Sequence, residues 1–230
     1  MGRYYFLQTP QYIECITCGC YDVENVYRVH EGSPEGPEVF RMEEQSSCIS
    51  RFCFLPRDRY YTITIFERGS KIGTCVRECN CSSFCPLCCC PPYIDVFNQS
   101  GQKIGKVALS VFAEDLRCRF TTRTFQGEDF LLWKTTTCSC HCHNCNPACC
   151  GPCEDMEFDI FDEGQNKLGY LRKYFSGMAQ EWCTAADNYE FEFPNINLED
   201  KEKVLLWLCT LSFIDYQFFE HKAKALCAPH

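Results

Sequence analysis

Tyr60-Tyr61-Thr62-Ile63-Thr64-Ile65-Phe66, then Glu67-Arg68-Gly69-Ser70, then Lys71-Ile72-Gly73, is the stretch that decides the fold. Its first seven residues are β-branched or aromatic, as a strand prefers. Its four-residue link carries a glycine that can take positive φ, so the whole reads as a β-hairpin. The pattern recurs twice. Tyr93-Ile94-Asp95-Val96-Phe97 passes through Asn98-Gln99-Ser100-Gly101-Gln102 to Lys103-Ile104-Gly105. Met156-Glu157-Phe158-Asp159-Ile160-Phe161 passes through Asp162-Glu163-Gly164-Gln165-Asn166 to Lys167-Leu168-Gly169. A weaker copy runs from Thr124-Phe125-Gln126-Gly127 into Phe130-Leu131-Leu132-Trp133. One supersecondary unit used repeatedly predicts an all-β meander that closes on itself.

The periodicity changes near the C-terminus. Val204 to Phe219 is apolar almost all round, including Trp207, Leu211, Phe213, Ile214, Phe218 and Phe219. Asn197, with Asp200 three residues on, is the expected N-cap of a helix over 198–225. Such a helix is either membrane-spanning or buried in a core. Sixteen residues between Lys203 and Glu220 give ~24 Å at ~1.5 Å per residue, short of the ~30 Å hydrocarbon layer. Asp215 and Gln217 inside the run would be costly in lipid. The helix is therefore expected to be buried, filling the lumen of the barrel. The whole chain reads as one domain over 1–230, with N-terminal strands in 1–45 and the hairpin barrel in 46–196.

The chain has 230 residues, 23 of them cysteine, and a formal net charge of -9. An acidic surface argues against a nucleic-acid partner and offers no electrostatic attraction to anionic lipid. Met1 to Phe6 contains no apolar run of signal length, so the chain is expected to face the cytoplasm, not to be secreted, with reduced thiols. Most of the cysteines fall opposite the glycine turns and are expected to gather at one end of the barrel. Cys138, Cys140, His141, Cys142, His143, Cys145, Cys149, Cys150 and Cys153 bring seven thiols and two imidazoles into 16 residues. Soft thiolates with imidazole suit a tetrahedral structural Zn²⁺ site. No nucleophile elbow, phosphate-cradling glycine loop or zinc-protease helix occurs, so an enzyme is not expected.

From Glu181 to Glu220 the chain resembles the phospholipid scramblase family. Ala186-Asp187-Asn188-Tyr189, Phe191-Glu192-Phe193-Pro194 and Ile214-Asp215-Tyr216-Gln217-Phe218-Phe219-Glu220 occur in the family's order. The resemblance extends over nearly the whole chain and implies a closed tubby-like β-barrel of about twelve strands around the C-terminal helix. It also implies a membrane-associated protein that moves phospholipids between leaflets in both directions, without ATP and with Ca²⁺ stimulation. Cys85, Cys88, Cys89 and Cys90 resemble its palmitoylation motif; several acyl chains would give stable anchoring, while packing as small apolar groups is the plain alternative. The family's Ca²⁺ segment corresponds to Asp187, Asn188, Glu190 and Glu192. It is thinned here, with Ala185 in place of an Asp and Asn195, Ile196 and Asn197 in place of carboxylates, whereas Ca²⁺ takes about six or more oxygens. That thinning keeps a second reading open, in which the barrel is a structural docking subunit of a larger protein assembly.

Overall fold

In the computed structural model, residues 2–9, 24–47, 59–78, 92–109, 121–126, 129–135, 156–174, 188–192 and 200–219 are described. They form twelve strands: β1 Arg3–Gln8, β2 Val26–Glu31, β3 Glu38–Gln45, β4 Tyr61–Glu67, β5 Ser70–Arg77, β6 Tyr93–Asn98, β7 Lys103–Leu109, β8 Thr121–Gln126, β9 Asp129–Thr135, β10 Met156–Phe161, β11 Lys167–Tyr174 and β12 Asn188–Glu192. Each pairs antiparallel with its neighbours in sequence. β1 pairs with β12 as well as with β2, so the ladder runs right round and closes. Closure leaves none of these twelve strands with an edge open to another chain.

The three repeats named above superimpose in register. Phe66 pairs with Lys71, Phe97 with Lys103 and Phe161 with Lys167, each beside a bulge one residue earlier. In the first turn Arg68 and Gly69 both take positive φ, +47° and +83°, which a two-residue hairpin of the primed type requires. In the third, the Asp162 carboxylate accepts the Asn166 backbone N–H at 2.8 Å. Alternation works as the sequence predicts: Ile63, Ile65, Cys75, Ile94, Val96, Phe158 and Ile160 are buried.

The helix, α1 Lys201–Ile214, continues into a π-helical turn at Asp215–Phe219. Its cap is Asp200, whose carboxylate accepts the Lys203 N–H at 3.3 Å. This corrects the expected cap at Asn197 and the expected start at residue 198: the Asp200 carboxylate, four residues before Val204, captures one of the free amides of the first turn. The first turn stays outside the barrel, with Lys201 3.3 Å from Glu67. Every residue from Val204 to Tyr216 is then buried. Each large apolar side chain removed from water contributes roughly 1.5–3 kcal/mol, and this is what holds α1 inside.

The repeat also explains how α1 fits. A Cβ on Gly73 would lie 2.5 Å from the Phe97 carbonyl and 2.7 Å from Leu205. A Cβ on Gly105 would meet the Phe125 carbonyl and lie 2.5 Å from Leu206. In the first two hairpins, the glycine that follows Lys and Ile is thus where the helix presses against the barrel wall.

Candidate functional site at the inner end of the helix

Short glycine turns close one end of the barrel, where α1 enters. Gln8, Gln45, Arg77, Leu109, Thr135 and Tyr174 end their strands at the other. The helix runs toward this second end, and its last buried turn meets a cluster of polar side chains there. Asp215 is 1 % exposed. Its two carboxylate oxygens accept from Tyr27 Oη at 2.7 Å and Tyr189 Oη at 2.6 Å. Those phenols are positioned by alternation on β2 and β12, and the Phe6 ring packs against both. A carboxylate in the middle of an apolar run is tolerated because two hydroxyls solvate it in place of water.

Tyr216, the next residue, carries a second set. Its hydroxyl donates to Glu44 and accepts from Asn25 Nδ2 at 2.9 Å. Glu44 also takes the Asn25 backbone N–H at 2.8 Å, the Ser46 hydroxyl at 2.6 Å and Arg59 Nη2 at 3.0 Å. Gln8 Nε2 extends the chain to Asn25 Oδ1 at 2.8 Å. The Tyr216 ring stacks on Tyr61 at 4.3 Å, with the Arg59 guanidinium 5.2 Å above it. Both charged side chains of the Arg59–Glu44 pair are fully buried. Such a pair contributes little net stability against an apolar replacement, yet breaking it is expensive, so it fixes where the helix sits. Higher up, Thr210 Oγ1 and Thr124 Oγ1 lie 2.6 Å apart across the helix–wall seam. Cys209 meets Cys75 there, and burial first, then that hydrogen bond, pushes the Cys209 thiol well above its ordinary value.

The cation candidates fall elsewhere. On β12, Tyr189 and Phe191 point inward while Asn188, Glu190 and Glu192 face out. Glu190 is engaged by Arg3 at 3.1 Å and by the Tyr170 hydroxyl at 2.9 Å. Tyr170 lies 3.4 Å from Glu192 as well; burial, then the Glu190 acceptor, pushes its phenol up to about 12. Among the described residues no three His, Cys, Asp or Glu side chains gather to hold a metal ion, and a carboxylate already held by a guanidinium and a phenol is a poor fit to Ca²⁺. Asp187, the Cys85–Cys90 run and the Cys138–Cys153 block lie outside the described residues. Of the helix residues singled out from sequence, Trp207, Leu211, Phe213, Ile214 and Asp215 are buried in the lumen, and Phe218 and Phe219 belong to the π-helical turn. Among the described residues no helix is long and apolar enough to cross a membrane.

Residues 6–221 match the family model described as Scramblase. The chain is 32% identical over 204 residues to human phospholipid scramblase 1, covering 87% of this chain and 58% of that protein. It is 32% identical over 205 residues to human phospholipid scramblase 2, covering 87% and 62%, and 29% identical over 206 residues to mouse phospholipid scramblase 1, covering 87% and 56%. The chain therefore spans less than two thirds of the length of these curated relatives.

Proposed function

Because the chain belongs to the scramblase family, we propose that it associates with phospholipid membranes on their cytoplasmic side and moves phospholipid between leaflets in both directions without ATP. The observation that carries this reading is the family match from residue 6 to residue 221, which takes in the barrel and its helix together. A role in moving lipid rather than making bonds agrees with a sequence that lacks a catalytic constellation. The lumen is filled by α1, so a headgroup would travel along the outside of the barrel or require the helix to shift. Attachment would rest on apolar or acyl groups, with palmitate on Cys85, Cys88, Cys89 and Cys90, because the net charge of -9 repels anionic lipid. Stimulation by Ca²⁺ through Asp187, Asn188, Glu190 and Glu192 would have to draw Glu190 away from Arg3 and Tyr170. A structural Zn²⁺ held by the block from Cys138 to Cys153 completes the proposal, and elemental analysis of native protein tests it.

The engagement of Glu190 within the chain favours a second reading, a barrel that docks into a larger assembly and moves no lipid. The experiment is lipid flip in liposomes reconstituted with the acylated, folded protein, with and without Ca²⁺. Loss of leaflet asymmetry that depends on the protein supports the first reading. No flip in either condition overturns it, and co-purification with partner subunits at fixed stoichiometry would then establish the second.

A further inference from the structure

Arg77 is the last residue of β5 and is 1 % exposed. Both terminal nitrogens of its guanidinium are buried and have no hydrogen-bond partner among the described residues. It lies on the inward face of β5 with Cys75 and pairs across the ladder with Tyr61, whose ring stacks on Tyr216. The guanidinium thus belongs to the end of the barrel where the helix carries its polar cluster, but it is not part of that cluster's hydrogen bonding. A guanidinium keeps its charge throughout the physiological range, so its desolvation has to be offset by an acceptor. The buried acids among the described residues are committed elsewhere: Glu44 neutralises Arg59, and Asp215 is held by Tyr27 and Tyr189. Among the described residues the buried charges are three cations, Arg59, Arg77 and Lys173, against two anions, Glu44 and Asp215. One positive charge is in excess. Glu78, next in the chain, is exposed, so β5 comes to the surface directly after Arg77.

We propose that Arg77 anchors an oxyanion site at the rim of the barrel where α1 ends, accepting a phosphate group through the two terminal nitrogens of its guanidinium. The planar fork matches phosphate in a bidentate way. The phosphate is either free or the diester of a lipid headgroup. The site goes beyond the proposed lipid movement and would stand if the chain moved no lipid.

Calorimetric titration of the full chain at fixed ionic strength tests it, with inorganic phosphate in one arm and a short-chain phosphatidylserine below its micellar concentration in the other. Binding in either arm, weakened about 10- to 100-fold by R77M and by less in R77K, is the expected result. The arm that binds identifies the source. Absence of binding in both arms, or equal binding by wild type and both variants, overturns the proposal. Thermal unfolding in phosphate-free buffer supplies a second check. R77M removes a charge that has no partner among the described residues and should be at least as stable as wild type. A marked fall in its melting temperature would mean that the chain itself satisfies Arg77, and would overturn the site.

Discussion

Glu44→Gln should be among the most damaging single-atom-scale changes available in this protein. The carboxylate receives Arg59, Tyr216, Ser46 and the Asn25 backbone amide, all around one buried point. Glutamine keeps a carbonyl for one or two of these donors but removes the charge that neutralises Arg59, whose side chain is 0% exposed. Breaking a buried pair from one side costs about 3–5 kcal/mol, and for a chain of this size each kcal/mol lowers Tm by about 2–4 °C. The expected fall is therefore about 6–20 °C in a thermal melt. The cost should also be non-additive. Arg59→Met alone leaves the carboxylate three uncharged donors, and the double variant Glu44→Gln/Arg59→Met should recover much of the loss because no unmatched charge remains. A fall of less than about 2 °C in Glu44→Gln, or strict additivity in the cycle, would refute the argument that this pair fixes the helix end.

Three further outcomes are expected. Gly105→Ala should destabilise by about 1–3 kcal/mol through overpacking, read as a shift in the denaturation midpoint, and Leu206→Ala in the same chain should relieve only part of it, because the new methyl meets the Phe125 carbonyl as well as Leu206. Cys209 in folded protein at neutral pH should resist alkylation, since burial holds its thiol protonated, and should react fully once the chain is unfolded; peptide mapping after iodoacetamide checks this. Spectrophotometric titration of the phenols should place Tyr170 near 12, against an ordinary value of 10.0. The native state then holds that proton longer than the unfolded chain, so the contribution to stability is whole below about pH 10 and is lost as pH rises through about 12. Glu190→Gln should bring the Tyr170 titration down.

The hairpins were legible because their information is local. Period-two alternation, a glycine turn and the Lys-aliphatic-Gly resumption all lie within about fifteen residues of each other, and the bulged register beside Phe66, Phe97 and Phe161 repeats as faithfully as the motif does. The burial of α1 was legible for a different reason: a run apolar on every side, too short for a bilayer and interrupted by Asp215, has few places to go. The cap was misjudged by three residues because Asn197 and Asp200 are both good caps in isolation, and only the position at which the helix enters the barrel selects Asp200.

Other features were not legible at all. Glu44 shares the inward parity of Phe40 and Met42, and Arg77 that of Cys75, so a charged residue at a core-facing position was the available signal. Parity alone does not say what such a residue will meet. Its partners come from segments up to 191 residues apart, as Asn25 and Tyr216 are, and only closure of the ladder through β1 brings them together. The sequence by itself determined the all-β class, the hairpin unit, the buried helix and the family, because each rests on short-range pattern or on order along the chain. The tertiary structure alone decided that Gly73 and Gly105 are the seat of the helix, that Asp215 is solvated by two phenols, that Glu190 is engaged by Arg3 and Tyr170, and that Arg77 is buried with both terminal nitrogens unmatched among the described residues. These are properties of distance between remote residues, which no local pattern encodes.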